Sequence, residues 1–366
     1  MNASDIYDII IKKVINDWEK SMNNQNQREI WEVPKYSKSE INKAGSIIAN
    51  PSSSKEDRNK ALDILNNWRA AHAYPLQVIC NNLRLRNPNA IVVQRLKRLD
   101  SITGKIERFP TMKLYKMQDL GGCRVIVDTI DQVYEAVNQY KNSRIRHIFK
   151  KENDYIQNPK ESGYRSYHMV YQFQSDKKET YNKNMLIEIQ FRTKLQHTWA
   201  TAVEMMGIYT KFQLKASMGD KDILRFFVLV SSIFAKMENT PICPNTQDDQ
   251  EAIIEEIQEI DRRIKIISKL SALSVVINKY NDEELNHKGY YLLRLNFKEK
   301  VLNVSRFSTS HIKAVTVAYN KLEELNNPDI DIVLVSATSF DSLKSAYPNY
   351  FADISQFINI MKRILI

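Results

Sequence analysis

An alternating stretch at residues 186–194 carries the densest set of side chains that could do chemistry. It reads Leu-Ile-Glu-Ile-Gln-Phe-Arg-Thr-Lys, so Glu188, Gln190 and Arg192 occupy every second position. Because side chains of a β-strand alternate between its two faces, these three should point the same way. A carboxylate, an amide and a guanidinium in one row suit a cleft that holds a metal ion and phosphate groups. The pattern alone favours an ordinary half-buried strand with a solvated polar face.

A second stretch gathers cations upstream. Arg95 and Lys97 end a predicted strand, and Ser101 and Lys105 follow in a predicted short helix that ends near Phe109. We expect Ser101 to cap the start of that helix. A helix start with convergent Arg and Lys side chains binds phosphate readily, and a basic surface strand explains the residues equally well.

A third stretch places Asp119 two residues before the pair Gly121-Gly122, with Arg124 at the entry of a predicted strand. Paired glycines let the backbone pass close to a ligand, and an aspartate beside them could hold Mg²⁺, which takes one or two protein carboxylates plus substrate phosphates. A plain turn before a strand is the alternative.

A fourth stretch, residues 154–168, places Tyr164 directly after Gly163, with Lys160, Arg165 and His168 nearby. An exposed aromatic ring flanked by cations offers a stacking surface for a base beside phosphate contacts. The alternative is a loop whose tyrosines fill the edge of the core.

Four motifs in this order resemble the RelA/SpoT synthetase domain of alarmone synthetases: Arg-x-Lys…Ser…Lys, Asp-x-Gly-x-x-Arg, Gly-Tyr-Arg-Ser-x-His and Glu-Ile-Gln-x-Arg-Thr…Trp-Ala. The resemblance spans about residues 60–205 and lacks the hydrolase domain of the long enzymes, so the chain looks like a small alarmone synthetase. It implies a transfer of pyrophosphate from ATP to a ribose 3′-hydroxyl with release of AMP.

The resemblance also implies roles for individual residues. ATP would be bound by Arg95, Lys97, Ser101, Lys105 and Arg124. The acceptor would be bound by Tyr164, Lys160, His168, Gln190 and Arg192. Asp119 and Glu188 would be catalytic and would bind Mg²⁺, the expected cofactor, with Glu188 also taking the proton of the attacking hydroxyl.

The C-terminal stretch Ser345-Ala-Tyr347-Pro-Asn-Tyr350-Phe351 resembles CapRel, a fused toxin–antitoxin group of small synthetases. That resemblance implies a regulatory domain like a zinc finger without its zinc, in which Tyr347 and Tyr350 enter the ATP site beside Arg95 and Arg124. It also implies a phage structural protein as trigger, antiphage defence, and the 3′ CCA end of tRNA as acceptor. Alternatives are an enzyme that makes (p)ppGpp from GDP or GTP, and an inactive nucleotide-binding regulator, which the intact motif residues disfavour. The two tyrosines could also simply pack within their own domain.

The elements that must position these residues alternate between strands and helices from Cys123 to Met206, which indicates an α/β or α+β core. With the resemblance, the expected fold is α+β: a mixed-sheet, nucleotidyltransferase-like synthetase domain at residues 1–240 and a small α+β domain at 241–366. The segment Pro241–Asp249 is the predicted linker. Beyond it we expect a helix over 250–280, broken near Ser271, then a hairpin, a helix, a strand and a final helix.

The charge distribution and the cysteine content indicate which cellular compartment and which class of partner to expect. Residues 241–366 carry 15 Lys and Arg against 17 Asp and Glu, a net charge of −2. The whole chain has a net charge of +10, so residues 1–240 have a net charge of +12. That basic region fits a polyphosphate or nucleic-acid partner. Three scattered cysteines and no long apolar run predict a reducing cytoplasm, no disulfide framework and no membrane partner.

Overall fold

A computed structural model describes residues 3–23, 30–109, 111–210, 219–273, 277–279, 285, 287–325, 327, 329–351 and 354–365. The described helices are α1 (Ala3–Asn23), α2 (Lys38–Ala49), α3 (Lys55–Ala71), α4 (Ala73–Arg86), α5 (Leu99–Arg108), α6 (Ile130–Lys141), α7 (Lys194–Thr210), α8 (Lys221–Met237), α9 (Gln250–Ile264), α10 (Ile266–Leu273), α11 (Ile312–Glu324), α12 (Phe340–Ala346) and α13 (Ser355–Ile364). The described strands are β1 (Ile91–Leu96), β2 (Gly121–Val127), β3 (Ile148–Asp154), β4 (Tyr167–Gln172), β5 (Leu186–Thr193), β6 (Ile277–Lys279), β7 (Gly289–Asn296), β8 (Val301–Phe307) and β9 (Ile330–Ala337).

The described strands form one mixed sheet in the order β3-β4-β5-β2-β1-β9-β7-β8-β6. Strands β2 and β5 pair in parallel, as do β6 and β8, and the other neighbours are antiparallel. This mixed sheet with flanking helices confirms the predicted α+β class. Strand β9, from the C-terminal region, pairs directly with β1 through Gln94–Ser336 and Arg95–Val335.

The sheet separates a large hydrophobic core from the polar face that carries the motif residues. Ile187, Ile189 and Phe191 are fully buried on one side of β5, against the helices α2–α6. On the opposite side, Glu188 and Gln190 remain partly accessible. The alternation predicted for this strand is therefore confirmed, and it sets which side chains can converge.

The C-terminal elements share their packing with the N-terminal ones. Helices α9, α10 and α13 bury apolar residues in one cluster with α7 and α8. Helix α1 lies against α11, with Tyr7 and Ile11 buried beside Tyr319 and Leu322. The functional division between residues 240 and 241 and the zinc-finger likeness stay predictions.

Several local expectations differ from the structure. Helix α5 begins at Leu99, two residues before Ser101, so the expected cap at Ser101 is wrong. The helix expected over 250–280 breaks at Lys265, which adopts a left-handed conformation with φ of 56°, and not near Ser271, which lies within α10; residues 277–279 form β6. The edge strand β3 and the short helix α12 were not predicted. Helices α3 and α4 are separated at His72, three residues before Pro75.

No helix within the described ranges is long and apolar enough to cross a membrane.

Candidate active site

Pairing in the sheet places the motif residues side by side. Glu188 lies opposite Gly122 of β2, and Gly122 lies opposite Arg95 of β1. Gln190 lies opposite both Arg124 of β2 and His168 of β4. Paired residues project to the same face of a sheet, so four separate motifs meet on one surface.

The two glycines of β2 serve different purposes. A Cβ atom added to Gly121 would approach Ile187 Cδ1 at 2.9 Å and His72 Cβ at 3.3 Å, so this glycine allows close packing in the core. A Cβ on Gly122 would come no closer than 4.0 Å to the Glu188 carbonyl oxygen. Gly122, on the polar face, leaves open space between Glu188 and Arg95.

Asp119 lies between two ammonium groups. Its Oδ2 is 2.8 Å from Lys97 Nζ and its Oδ1 is 3.0 Å from Lys105 Nζ. Burial of the Asp119 carboxyl raises its pKa, but Lys97 and Lys105 outweigh burial and bring the pKa down to about 2. Burial lowers the Lys97 pKa, and Asp119 offsets part of that effect. The cluster is thus a fixed set of charges that could receive phosphate and a metal ion.

Two arginines share a cavity with Asp119. Arg95 and Arg124 both line this narrow cavity with Asp119 and Glu188, and Tyr347 of the C-terminal region also lines it. The Arg124 guanidinium carbon is 5.7 Å from the centre of the Tyr347 ring, and Arg124 Nη1 donates to the Ala346 carbonyl at 3.0 Å. A flat ring therefore already occupies the face of Arg124. Ser101 is exposed on α5 and does not line this cavity.

Glu188 begins a chain of hydrogen bonds across the acceptor side. Its Oε2 accepts from Gln190 Nε2 at 2.7 Å and its Oε1 lies 3.2 Å from His168 Nδ1. The other imidazole nitrogen, Nε2, lies 2.9 Å from the Tyr164 hydroxyl. Ring centroids of Tyr164 and His168 are 5.7 Å apart at an edge-on angle of 89°. The base-stacking candidate is thus tied through His168 to the candidate catalytic carboxylate.

These contacts shift the ionisation of all three groups. Burial lowers the His168 pKa, but Tyr164 and Glu188 raise it to about 9. Burial raises the Tyr164 pKa, and His168 with Arg192 lowers it to about 8. The Glu188 pKa lies below its usual range because the His168 and Gln190 hydrogen bonds outweigh burial. At neutral pH the arrangement is therefore a carboxylate, an imidazolium and a phenol that is readily ionised.

The remaining predicted acceptor residues differ in exposure. Lys160 is exposed, with Nζ 4.3 Å from the centre of the Tyr155 ring and 5.5 Å from that of Tyr164. Arg192 is buried, and burial together with the nearby charge of Arg124 lowers its pKa well below the ordinary value. Lys160 is therefore open to a polyanion, whereas Arg192 faces the interior of the site.

The structure adds contacts that the motifs did not indicate. The second tyrosine, Tyr350, lies against Arg98 rather than Arg95 or Arg124, with the Arg98 guanidinium carbon 5.5 Å from its ring centre. Arg98 Nη1 also lies 2.6 Å from Asp331 Oδ1. Arg98 directly follows Lys97 in the chain, so the cluster of cations at 95–98 was the sequence feature that could have marked Arg98 as a site residue. Nothing local indicated its partners, which lie more than two hundred residues away in the chain.

Buried contacts fix the loop that presents Tyr164. Gly163 adopts φ of +85°, and its carbonyl accepts from Ser231 Oγ of α8 at 2.6 Å. Arg165 is 3% exposed and donates to Ser231 Oγ at 2.9 Å. The arginine of this motif is thus structural, and it holds the stacking candidate against α8.

Part of the chain is similar in sequence to known proteins. Residues 94–214 match the family described as "Region found in RelA / SpoT proteins". The chain is 36% identical over 119 residues to GTP pyrophosphokinase YjbM of Bacillus subtilis (strain 168), covering 31% of this chain and 54% of that protein. It is 32% identical over 128 residues to GTP pyrophosphokinase YwaC of the same organism, covering 33% and 59%. The chain thus spans little more than half the length of these relatives.

Among solved structures, small alarmone synthetase 1 of Bacillus subtilis bound to its product pppGpp aligns with a TM-score of 0.37 at 25% identity, over 45% of this chain and 90% of that one. A GTP pyrophosphokinase family protein of Streptococcus pneumoniae aligns with a TM-score of 0.38 at 27% identity, over 58% and 95%. By sequence, residues 94–214 match the RelA/SpoT region, and the chain is similar to GTP pyrophosphokinases.

Proposed function

We propose that the protein is an ATP-dependent pyrophosphokinase whose acceptor is a guanine nucleotide. The observation that carries this proposal is the meeting of Arg95, Asp119, Arg124 and Glu188 on one cavity, within the region that matches RelA/SpoT proteins. The relatives are named GTP pyrophosphokinases, which supports GDP or GTP as acceptor and (p)ppGpp as product.

In the proposed reaction, the acceptor 3′-oxygen forms a bond to the β-phosphorus of ATP. The bond from that phosphorus to the oxygen bridging to the α-phosphate breaks, and AMP leaves with the bridging oxygen. Lys97 and Lys105 would hold the ATP phosphates, with Ser101 on the same helix, and Arg95 and Arg124 would contact adenine. Glu188, held ionised by His168 and Gln190, would accept the proton of the 3′-hydroxyl. Such a transfer needs mainly positioning and charge neutralisation, which a fixed cluster of this kind supplies.

The donor set at this site fits Mg²⁺. Asp119 and Glu188 line one cavity and stay ionised, and the charge of Asp119 acts against the ionisation of Glu188. Within the described residues no group of three or more His, Cys, Asp and Glu could hold a metal ion by itself. Two carboxylates completed by substrate phosphates are the usual arrangement for Mg²⁺, which neutralises phosphate charge when bound.

We further propose that residues 241–366 inhibit the enzyme. The cavity leaves about 60 Å³ of free space, compared with roughly 300–1,000 Å³ in typical small-molecule sites. Tyr347 takes the face of Arg124 where adenine would stack, and Tyr350 engages the neighbouring Arg98. Activation would require the stretch around Tyr347 and Tyr350 to leave the site, for which the CapRel resemblance suggests a phage structural protein as trigger in antiphage defence.

We propose the 3′ CCA end of tRNA as the second candidate acceptor, on the evidence of exposed lysines at one edge of the sheet. Strand β3 is the edge of the sheet beside β4, and its Lys150 and Lys151 are exposed. Lys151 lies opposite Val170, which lies opposite Glu188, so Lys151 projects to the site face. With Lys160 these exposed cations add positive charge next to the acceptor side, which suits a nucleic-acid backbone.

The experiment that separates the acceptors uses ATP labelled at the γ-phosphate, Mg²⁺, and either GDP, GTP or deacylated tRNA. We expect Tyr347→Ala to transfer label to GDP or GTP, with Glu188→Gln added as the inactive control. Label on tRNA alone would support the second acceptor. Label on neither, from a folded Tyr347→Ala protein that binds ATP, would contradict the proposed activity.

A further inference from the structure

A carboxylate of the C-terminal region reaches the ATP side of the site at a point away from Tyr347. Glu323, on α11, has a side chain that is 9% exposed, and its Oε1 accepts from the backbone N–H of Leu99 at 3.1 Å. Leu99 is the first residue of α5, the helix that carries Ser101 and Lys105. The residue before it, Arg98, provides no side-chain cap to this helix. Glu323 therefore takes the place of a local N-cap and complements the positive end of the helix.

The same carboxylate also fixes the end of β1. Glu323 Oε2 lies 2.5 Å from Nη1 of Arg69, a residue of α3 with no exposed surface. Arg69 Nη1 in turn donates to the carbonyl of Lys97 at 3.2 Å. A buried guanidinium needs a charged partner, so removing Glu323 would take away the carboxylate that forms the ion pair with Arg69. The carbonyl of Lys97 would then lose the group that holds it.

Both ends of this arrangement converge on Asp119. Lys97 follows β1 and Lys105 lies on α5, and their ammonium groups hold the two Asp119 oxygens at 2.8 and 3.0 Å. Glu323 thus sets the relative position of the strand end and the helix start from which both lysines project. The Tyr319 hydroxyl, one turn earlier on α11, donates to Glu323 Oε1 at 2.8 Å and fixes the carboxylate.

We infer that Glu323 is a positioning residue of the phosphate-binding side, so the C-terminal region completes the ATP site as well as closing it. This inference rests on the proposed function. In the active enzyme α11 stays docked on α3 and α5, and only the segment around Tyr347 withdraws. If residues 241–366 left the catalytic region completely, the enzyme would bind the ATP phosphates more weakly.

Adjacent glutamates on α11 provide a matched test. Glu324 accepts from Asn66 Nδ2 at 2.8 Å and, among the described residues, makes no hydrogen bond to α5, so Glu324→Ala is the control for Glu323→Ala. Both are made in the Tyr347→Ala full-length protein, and the KM values for ATP and acceptor are measured with the dissociation constant of a non-hydrolysable ATP analogue. We expect Glu323→Ala to raise the ATP KM and the analogue dissociation constant about tenfold or more, as for loss of one charged contact, with the acceptor KM within about twofold. Glu323→Gln, which keeps an acceptor oxygen for Leu99, should recover part of the loss.

The outcomes separate the inference from the proposed function. Equal increases in both KM values, or equal effects of Glu323→Ala and Glu324→Ala, would show a merely structural role and overturn the inference. Should Glu323→Ala not fold, Glu323→Gln carries the same comparison, and unchanged analogue binding by it would overturn the inference. Analogue binding that depends on Glu323 in a protein that transfers no pyrophosphate would support the inference and contradict the proposed function.

Discussion

Replacing Tyr347 by alanine should open the ATP site. The ring is 4% exposed and lies 5.7 Å from the Arg124 guanidinium carbon. Burial of an aromatic ring stabilises the closed arrangement by about 1.5–3 kcal/mol, and a desolvated cation–π contact adds about 1–2 kcal/mol. A loss of about 3 kcal/mol changes the ratio of closed to open molecules by roughly two orders of magnitude, since about 1.4 kcal/mol corresponds to tenfold.

The assay compares wild type, Tyr347→Ala and Tyr347→Phe for ATP binding and for transfer of labelled pyrophosphate to GDP. Tyr347→Ala should bind ATP more tightly and transfer faster, up to roughly hundredfold, until the closed state no longer limits the rate. Tyr347→Phe keeps the ring on Arg124 and should stay within a few-fold of wild type. A folded Tyr347→Ala protein with the ATP affinity of wild type would refute the idea that this ring blocks the site.

Three further predictions concern the catalytic and acceptor sides. Asp119→Asn or Glu188→Gln, in the Tyr347→Ala protein, should lower the transfer rate by orders of magnitude with little change in unfolding temperature, and near-normal turnover would refute the assignment. Tyr164→Ala should raise the acceptor KM by roughly 10- to 100-fold, since stacking on a base is worth about 1–3 kcal/mol, while equal changes in the ATP and acceptor KM values would indicate a structural ring. Because His168 helps bring the Tyr164 pKa to about 8, near-ultraviolet absorbance should show one tyrosinate forming near that pH. That step should vanish in Tyr164→Phe and move to higher pH in His168→Asn, and its persistence in Tyr164→Phe would contradict the assignment.

The parts of the site that sequence could predict are those set by local pattern. The alternation along β5 placed Glu188 and Gln190 on one face, and the burial of Ile187 and Ile189 confirms it. Strand β5 pairs with β4, the strand before it in the chain, and also with β2, from which α6, β3 and β4 separate it, so only the first pairing joins successive strands. The residue types in each motif indicated its chemistry, because a charged or aromatic side chain in a cleft usually binds a metal ion, a phosphate group or a base.

What the sequence missed depends on contacts between distant residues. The cap of α5 was assigned to Ser101 because a hydroxyl there fits the local rule. The structure instead uses Glu323, which lies 224 residues after Leu99 in the chain. Strand β3 was not predicted for another reason. At this edge of the sheet even Ile148 and Phe149 are exposed, and the strand sequence lacks the alternation of apolar and polar residues that marks a half-buried strand. Such features come from tertiary packing, which local periodicity does not encode.

The way residues 241–366 are anchored determines how the site can open. Helix α13 shares a buried cluster with α7 and α8, and α11 is held to α3 by the Glu323–Arg69 ion pair. Releasing the whole region would expose that cluster and leave a buried guanidinium unpaired, which is far costlier than withdrawing one ring. Strand β9 meets β1 at only two residue pairs, one of which includes Arg95 itself. In the proposed opening, a shift of α12 and the end of β9 would act directly on the arginine proposed to contact adenine, while α11 would keep Lys97 and Lys105 in place.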